Sequence, residues 1–233
     1  MNRAFASQYS SSRFYGKYIR FVAYLFVLIH FSPASAGSYD DYFSAAKVDD
    51  APAIRALLTR GFDGNVRDPN GDHALHVAIR ENASKAVQAL LSWEKVEVES
   101  RNKVDESPLM LAALGGQLEI AKSLIERDAD VNKPGWTPLH YASTRGHVDV
   151  MRLLLDKSAY IDAASPNGTT PLMMAAFYGT PSAVKLLLEA GADPFLKNQQ
   201  DLTAIDFAQR ANRGEAAEII AAFVRAKQPK GKW

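Results

Sequence analysis

Five histidines, His30, His73, His76, His140 and His147, are the side chains best suited to proton transfer or metal ligation near neutral pH. None of them stands in a His-Glu-x-x-His frame or at another ligand spacing. Two carboxylate pairs, Asp40-Asp41 and Asp49-Asp50, could in principle share general acid and base work. Both lie in short polar stretches, where solvated charge is the ordinary role. There is no Gly-x-Ser-x-Gly elbow to expose a serine nucleophile and no glycine-rich phosphate loop. The chain has no cysteine, which removes thiolate catalysis, iron–sulfur clusters and cysteine-ligated zinc. The inventory points away from an enzyme, and no cofactor or metal is expected.

What organises these residues is repetition. Thr137-Pro138-Leu139-His140 has relatives at Ser107-Pro108-Leu109 and Thr170-Pro171-Leu172, and eroded ones at His73-Ala74-Leu75-His76 and Thr203-Ala204-Ile205. The apolar third position falls at 75, 109, 139, 172 and 205, in steps of 34, 30, 33 and 33 residues. A period of this size belongs to stacked arrays, in which no unit can bury its apolar face alone.

One period, Gly135 to Ala163, reads as two antiparallel helices. Thr137 is a helix cap and Pro138 suits the first helical position, where no N–H is needed. Leu139, Ala142 and Ser143 then face inward, and Gly146 ends the first helix. A second helix follows from about His147 to Lys157, with Val148, Met151, Leu154 and Leu155 as its apolar stripe. Small Ala142 lets the pair approach closely. Leu109, Ala112 and Ala113 precede Ile120, Leu124 and Ile125 at the same offsets. Leu172, Ala175 and Ala176 likewise precede Val184, Leu187 and Leu188, and Ile205 and Ala208 precede Ala216, Ile219 and Ile220. A degenerate upstream copy carries Phe43, Ala45, Ala46, Ile54, Leu57 and Leu58.

With Thr137–His140, the Gly146-His147 pair, Gly191–Asp193 and Asp130-Val131-Asn132 in register, the chain resembles the ankyrin-repeat family over about Tyr39 to Arg225. The resemblance implies an all-α solenoid of about six helix-turn-helix units with short β-hairpin fingers. The expected division is a polar first cap at 39–70, repeats at 71–103, 104–133, 134–165 and 166–199, and a last cap at 200–226 of a domain spanning 37–226. It also implies that His76 and His140 hydrogen-bond neighbouring turns, and that Asp63, Asp130, Asp162 and Asp193 tie the turns at the foot of each finger. His73 stands in place of a capping threonine.

Residues 1–36 read differently. They contain Arg3, Arg13, Lys17 and Arg20 and no acid, then the apolar run Phe21–Phe31, then Pro33-Ala34-Ser35-Ala36. That order describes a secretory signal cleaved after Ala36, with an uncleaved anchor or a mis-assigned start as the alternative. The run of 11 residues is short against the ~20 that a helix needs to span about 30 Å of hydrocarbon. The whole chain has 27 basic and 26 acidic side chains, and losing the four basic ones of the leader leaves 23 against 26, or −3. The slight overall basicity is therefore an export feature, and nucleic acid is not an expected partner. A bacterial periplasmic or secreted protein is expected, monomeric and without stable membrane insertion. Lys227–Trp233 reads as a mobile basic tail.

Function must lie where the copies differ. The resemblance implies a concave groove lined by the first helices, with two variable positions per repeat turned into it. These are Arg80 and Glu81, Leu114 and Gly115, Thr144 and Arg145, Phe177 and Tyr178, and Arg210 and Ala211. The residues before the caps, Asp72, Glu106, Trp136 and Thr169, should face the same way. Trp136, Phe177, Tyr178, Arg145, Thr144, Arg80, Glu81, Leu114 and Arg210 are the candidate protein-binding residues, since aromatics and arginines dominate interfaces. Packing of Phe177 against a neighbouring helix is the alternative for that residue. The 30-residue step shortens one finger at Lys133–Trp136, leaving a notch beside Trp136. Trp93 with Val96 and Val98 suggests a reshaped turn on the outer side. The expected function is a non-catalytic binding module for another protein, such as an envelope enzyme, a toxin or a host protein. A hydrolase-like site at the finger tips and a self-associating structural role are the alternatives.

Overall fold

A computed structural model describes residues 33–227 of the 233-residue chain. The expected leader 1–36 falls outside the described residues except for its last four, and the expected tail 227–233 except for Lys227. The chain divides into two compact units, 1–41 and 42–233. Of the first, only the opening of one helix is described, and all that follows concerns the second.

Twelve helices are described: α1 (Pro33–Lys47), α2 (Ala51–Thr59), α3 (Ala74–Arg80), α4 (Ser84–Leu91), α5 (Pro108–Leu114), α6 (Leu118–Ile125), α7 (Pro138–Arg145), α8 (Val148–Asp156), α9 (Pro171–Phe177), α10 (Pro181–Glu189), α11 (Ala204–Arg210) and α12 (Gly214–Lys227). They form six pairs in chain order, giving an all-helical solenoid. Lys227 belongs to α12, with its amine 4.6 Å from the centre of the Phe223 ring. No described helix is long and apolar enough to cross a membrane.

The Ser/Thr-Pro-Leu phrase makes the first helices. The hydroxyls of Ser107, Thr137 and Thr170 accept from the backbone N–H of Met110, His140 and Met173 at 3.3, 3.4 and 3.3 Å. Each cap is followed by a proline that needs no N–H partner. Gly146 ends α7 in the left-handed conformation at φ 70°. The anchors Leu75, Leu109, Leu139 and Leu172 are buried, and Ala112, Ala113, Ala142, Ala175 and Ala176 lie beside them with only a methyl between the helices. In α8 the buried stripe is Val150, Met151 and Leu154, while Val148 and Leu155 are half-buried. The expected stripe thus shifts by part of a turn, because α8 wedges between α7 and the second helices on either side.

From α3 onward first helices stack on first helices and second on second, with the first-helix layer the more closely packed; between the first two pairs the contact runs through α2 and α4. The first helices line one face of the stack, the expected inner face. Side chains tie successive units through main-chain carbonyls at the ends of first helices. Gln117 Nε2 donates to Ile79 O at 2.8 Å, His147 Nε2 to Leu114 O at 3.0 Å and an Arg213 guanidinium N–H to Tyr178 O at 3.0 Å.

The fingers are turns and not the expected β-hairpins. Among the described residues one isolated bridge, Arg67 with His73, is all the β-structure present. Each finger is too short for a ladder. Asp68, Asn102, Ser165 and Asn198 each donate one backbone N–H across their turn, to Asp72, Glu106, Thr169 and Leu202, at 2.8–3.1 Å. The side chains of Asp68, Asn102 and Asn198 take the N–H groups that a second strand would have bound. Neighbouring fingers join by Lys103 N–H to Asn70 O at 3.3 Å and Gln199 N–H to Asn167 O at 2.9 Å. In the shortened finger, buried Lys133 sends its amine back to the Asp105 carboxylate of the finger before. Trp93 lies against Gly64, where an added Cβ would sit 2.7 Å from the indole.

Candidate functional site

The caps and first helices bring a continuous strip of side chains to the inner face. At its middle, Trp136 stands at the end of the shortened finger, half-buried and edge-on to the His140 ring at 5.2 Å. With Leu114 from α5, Tyr141 and Thr144 from α7 and Met174 from α9, it encloses an open pocket of about 250 Å³. The expected notch beside Trp136 is this pocket's position. A second open hollow of about 490 Å³ adjoins it through Leu114 and is lined by Ile79, Arg80, Glu106, Leu111, Gln117 and Arg145.

Charge is distributed unevenly along the strip. The Arg80 guanidinium pairs with the Asp72 carboxylate, one nitrogen donating at 2.9 Å, and lies 3.6 Å from Glu106. Burial alone would raise the Asp72 carboxyl, but the bonds from Arg80 and Asn102 outweigh it and hold it below the usual carboxylate range. Glu106 also receives Asn102 Nδ2 at 2.9 Å and the Tyr141 hydroxyl at 3.3 Å. Burial first, and then Glu106, push the Tyr141 phenol above its ordinary value. The carboxylates of this strip are therefore already supplied with donors.

Several expected groove residues stand elsewhere. Asp72 and Thr169 are buried, because the cap-preceding position also closes the finger and its carbonyl is a hydrogen-bond acceptor. Thr169 gives its carbonyl to His140, and Asp72 is shielded by Arg80. Phe177 is half-buried, with its ring 6.0 Å edge-on to Phe207 of the next unit and 4.4 Å from Tyr178. Its ring thus takes part in the packing between units, the alternative weighed for it, while part of it stays exposed. Tyr178 is 54% exposed, and Glu81, Arg145 and Arg210 are also exposed. Trp136, Leu114 and Thr144 meet in one pocket; Arg80, Leu114 and Arg145 meet in the other. Tyr141 and Met174 were not among the expected residues. Each lies one helical turn before a residue that was, Arg145 and Tyr178, so the i, i+4 spacing of a helix face carries the missing signal.

The histidines are structural in their surroundings. His140 Nε2 donates to Thr169 O at 2.9 Å, and its Nδ1 accepts from Thr137 N–H at 3.1 Å. His76 Nε2 donates to Glu106 O at 3.1 Å. Burial pushes the His140 imidazole down to about 4 and lowers His76. Burial, then Arg67 and His76, push His73 down to about 4, and its Nε2 is buried with no hydrogen-bond partner, 3.9 Å from Glu97. Asp63, Asp130 and Asp193 each accept the N–H two residues on, at 2.7–3.0 Å, and Asp162 accepts that of Asp193 at 3.1 Å. No group of three or more metal-ligating side chains is placed to hold an ion among the described residues.

Comparison with known proteins agrees with this architecture. The family model for ankyrin repeats matches in overlapping stretches, 42–134, 93–165, 128–198 and 159–228. The chain is 32% identical over 163 residues to the nuclear factor NF-kappa-B p105 subunit of Gallus gallus, covering 67% of this chain and 17% of that protein. The chain thus spans about a sixth of that relative's length. Among solved structures, it is similar to the ankyrin repeat domain of human ASB11, with a TM-score of 0.71 and 26% identity over 82% of this chain and 85% of that one. It is also similar to a chain in the structure of a predatory endopeptidase from Bdellovibrio bacteriovorus in complex with an immunity protein. The TM-score there is 0.69 and the identity 28%, over 78% of this chain and 97% of that one.

Proposed function

The chain belongs to the ankyrin-repeat family, and on that premise we propose that it is an exported, non-catalytic module that holds another protein against its first-helix face. Repeats of this family typically mediate protein–protein binding. The observation that carries the reading is the open pocket of Leu114, Trp136, Tyr141, Thr144 and Met174. Here an aromatic, a phenol and a thioether remain available although the units on both sides are fully stacked. Large, rigid side chains in a partly desolvated hollow are the usual anchors of binding energy. The buried histidines are each committed to a carbonyl or pushed far below neutral pKa, and none of them lines that hollow.

The compartment follows from the basic–apolar–small order of residues 1–36. The partner is an exported enzyme or toxin that the module keeps silent. The likeness to a chain solved with a bacterial endopeptidase and an immunity protein supports that class. Affinity capture from an envelope fraction tests the reading. The full-length gene product should retain one protein in stoichiometric amount, and a Trp136→Ala/Tyr178→Ala double variant with unchanged helical circular dichroism should bind it at least about 30-fold more weakly, the pair together being worth ~2 kcal/mol or more. Equal recovery by the two would refute the groove. The exported product should begin at Gly37; an uncut amino terminus in the cytosolic fraction would refute the export.

A further inference from the structure

The two hollows of the inner face differ in chemistry and share a wall, which restricts what can fill them together. This inference rests on the groove reading above and names the partner's recognised feature. The pocket at Trp136 is apolar, walled by the indole, Leu114, the Tyr141 ring and Met174. Leu114 is common to this pocket and to the adjoining hollow that contains Arg145. Thr144 lines the first and Arg145 the second, so consecutive residues of α7 serve both.

Charge decides what belongs beside the apolar group. Asp72 and Glu106 are engaged by Arg80, Asn102 and Tyr141. Arg145 is exposed and takes part in no ion pair among the described residues. The first helices α7 and α9 carry no acidic residue, and in α11 the one acid, Asp206, accepts the N–H and hydroxyl of its own cap, Thr203. Arg210 follows on the same face, also exposed. Of the two exposed cations in this half, Arg210 lies one turn from the Asp206 carboxylate, whose charge it stabilises, so Arg145 is the one left without a close counter-charge of its own helix or the next. An occupant that extends from the apolar pocket into the adjoining hollow desolvates Arg145 at a cost unless it brings a carboxylate, and a basic one is repelled.

We propose that the groove recognises a partner segment presenting a large apolar side chain beside a carboxylate, the first seated at Trp136 and Met174 and the second on Arg145. The adjacency of Thr144 and Arg145 sets the two side chains one or two residues apart in an extended segment, at about 3.3 Å per residue.

A random dodecapeptide phage library selected on the immobilised full-length protein tests this. The expected consensus is Phe, Trp, Leu or Met with Asp or Glu one or two residues away. A synthetic peptide of that consensus should bind Arg145→Glu at least tenfold more weakly than the unaltered protein. Selection on Arg145→Glu should replace the acid by Lys or Arg. A consensus without acid enrichment, or one unchanged on Arg145→Glu, overturns the proposal while its loss on Trp136→Ala still supports the groove. Enrichment indifferent to Trp136→Ala overturns both.

Discussion

Gly179→Ala should cost about 3 kcal/mol or more of unfolding free energy and lower the urea midpoint accordingly. A Cβ built at Gly179 would stand 2.4 Å from Ser143 O and 2.9 Å from both the Cα and the carbonyl oxygen of Ala175. These are backbone atoms, so no side-chain rotation can relieve the contact. Ala175 belongs to α9, the helix that Gly179 follows, whereas Ser143 belongs to α7 of the preceding unit. The added methyl therefore pries two first helices of neighbouring units apart. Gly214→Ala is the matched control: nothing lies within 4 Å of its built Cβ. It opens α12, where alanine is the better helix former, so its effect should be within about 1 kcal/mol and of stabilising sign. A Gly179→Ala midpoint equal to that of Gly214→Ala would contradict the close stacking of α7 and α9.

Acid should act on the same stack through its histidines. His140 is fully buried, and its imidazole is pushed down to about 4 by burial, against the opposing pull of the Thr169 carbonyl. Unfolded, it returns to about 6.5. Between those values the unfolded chain takes up a proton that the folded chain refuses, so stability is complete above about pH 6.5 and falls as pH drops toward 4. At 1.36 kcal/mol per pKa unit, His140 alone accounts for about 3 kcal/mol over that window. His73 and His76 are depressed too and act in the same direction. The Asp72 carboxyl, held below its ordinary value, withdraws its contribution only at lower pH, below the carboxylate range. Urea titrations at pH 7.5 and 4.5 measure the loss. His140→Gln should flatten the slope, and a slope unaltered by that substitution would show that the ring is solvated when folded.

Much of this architecture could be read from residues before any coordinate. A phrase such as Ser107-Pro108-Leu109 encodes a cap, a helix start and a buried anchor in three consecutive side chains, because each depends only on local backbone geometry. Pairing of buried Ala112 and Ala113 with Leu124 followed from helical spacing for the same reason. Where a residue's role is set by contacts outside its own short phrase, the repeat pattern does not decide it. Asp72 looked like a groove residue and is buried under Arg80; Phe177 looked like an anchor and meets Phe207 across a unit boundary. The fingers failed as β-hairpins because Asp68, Asn102 and Asn198 satisfy their own turns, which the two-residue periodicity of a strand cannot reveal. Tyr141 and Met174 were within reach, one turn before Arg145 and Tyr178, but weighting only the variable pair per unit passed over them.

The inner face as a binding surface is the claim on which the rest depends. Calorimetric titration of the captured partner into the unaltered protein and into Trp136→Ala/Tyr178→Ala measures it directly. One-to-one binding that weakens at least about 30-fold in the double variant, with the free energy of unfolding in urea within about 1 kcal/mol of the original, is the predicted result. Equal affinity for the two proteins would place the partner on another surface and contradict the account.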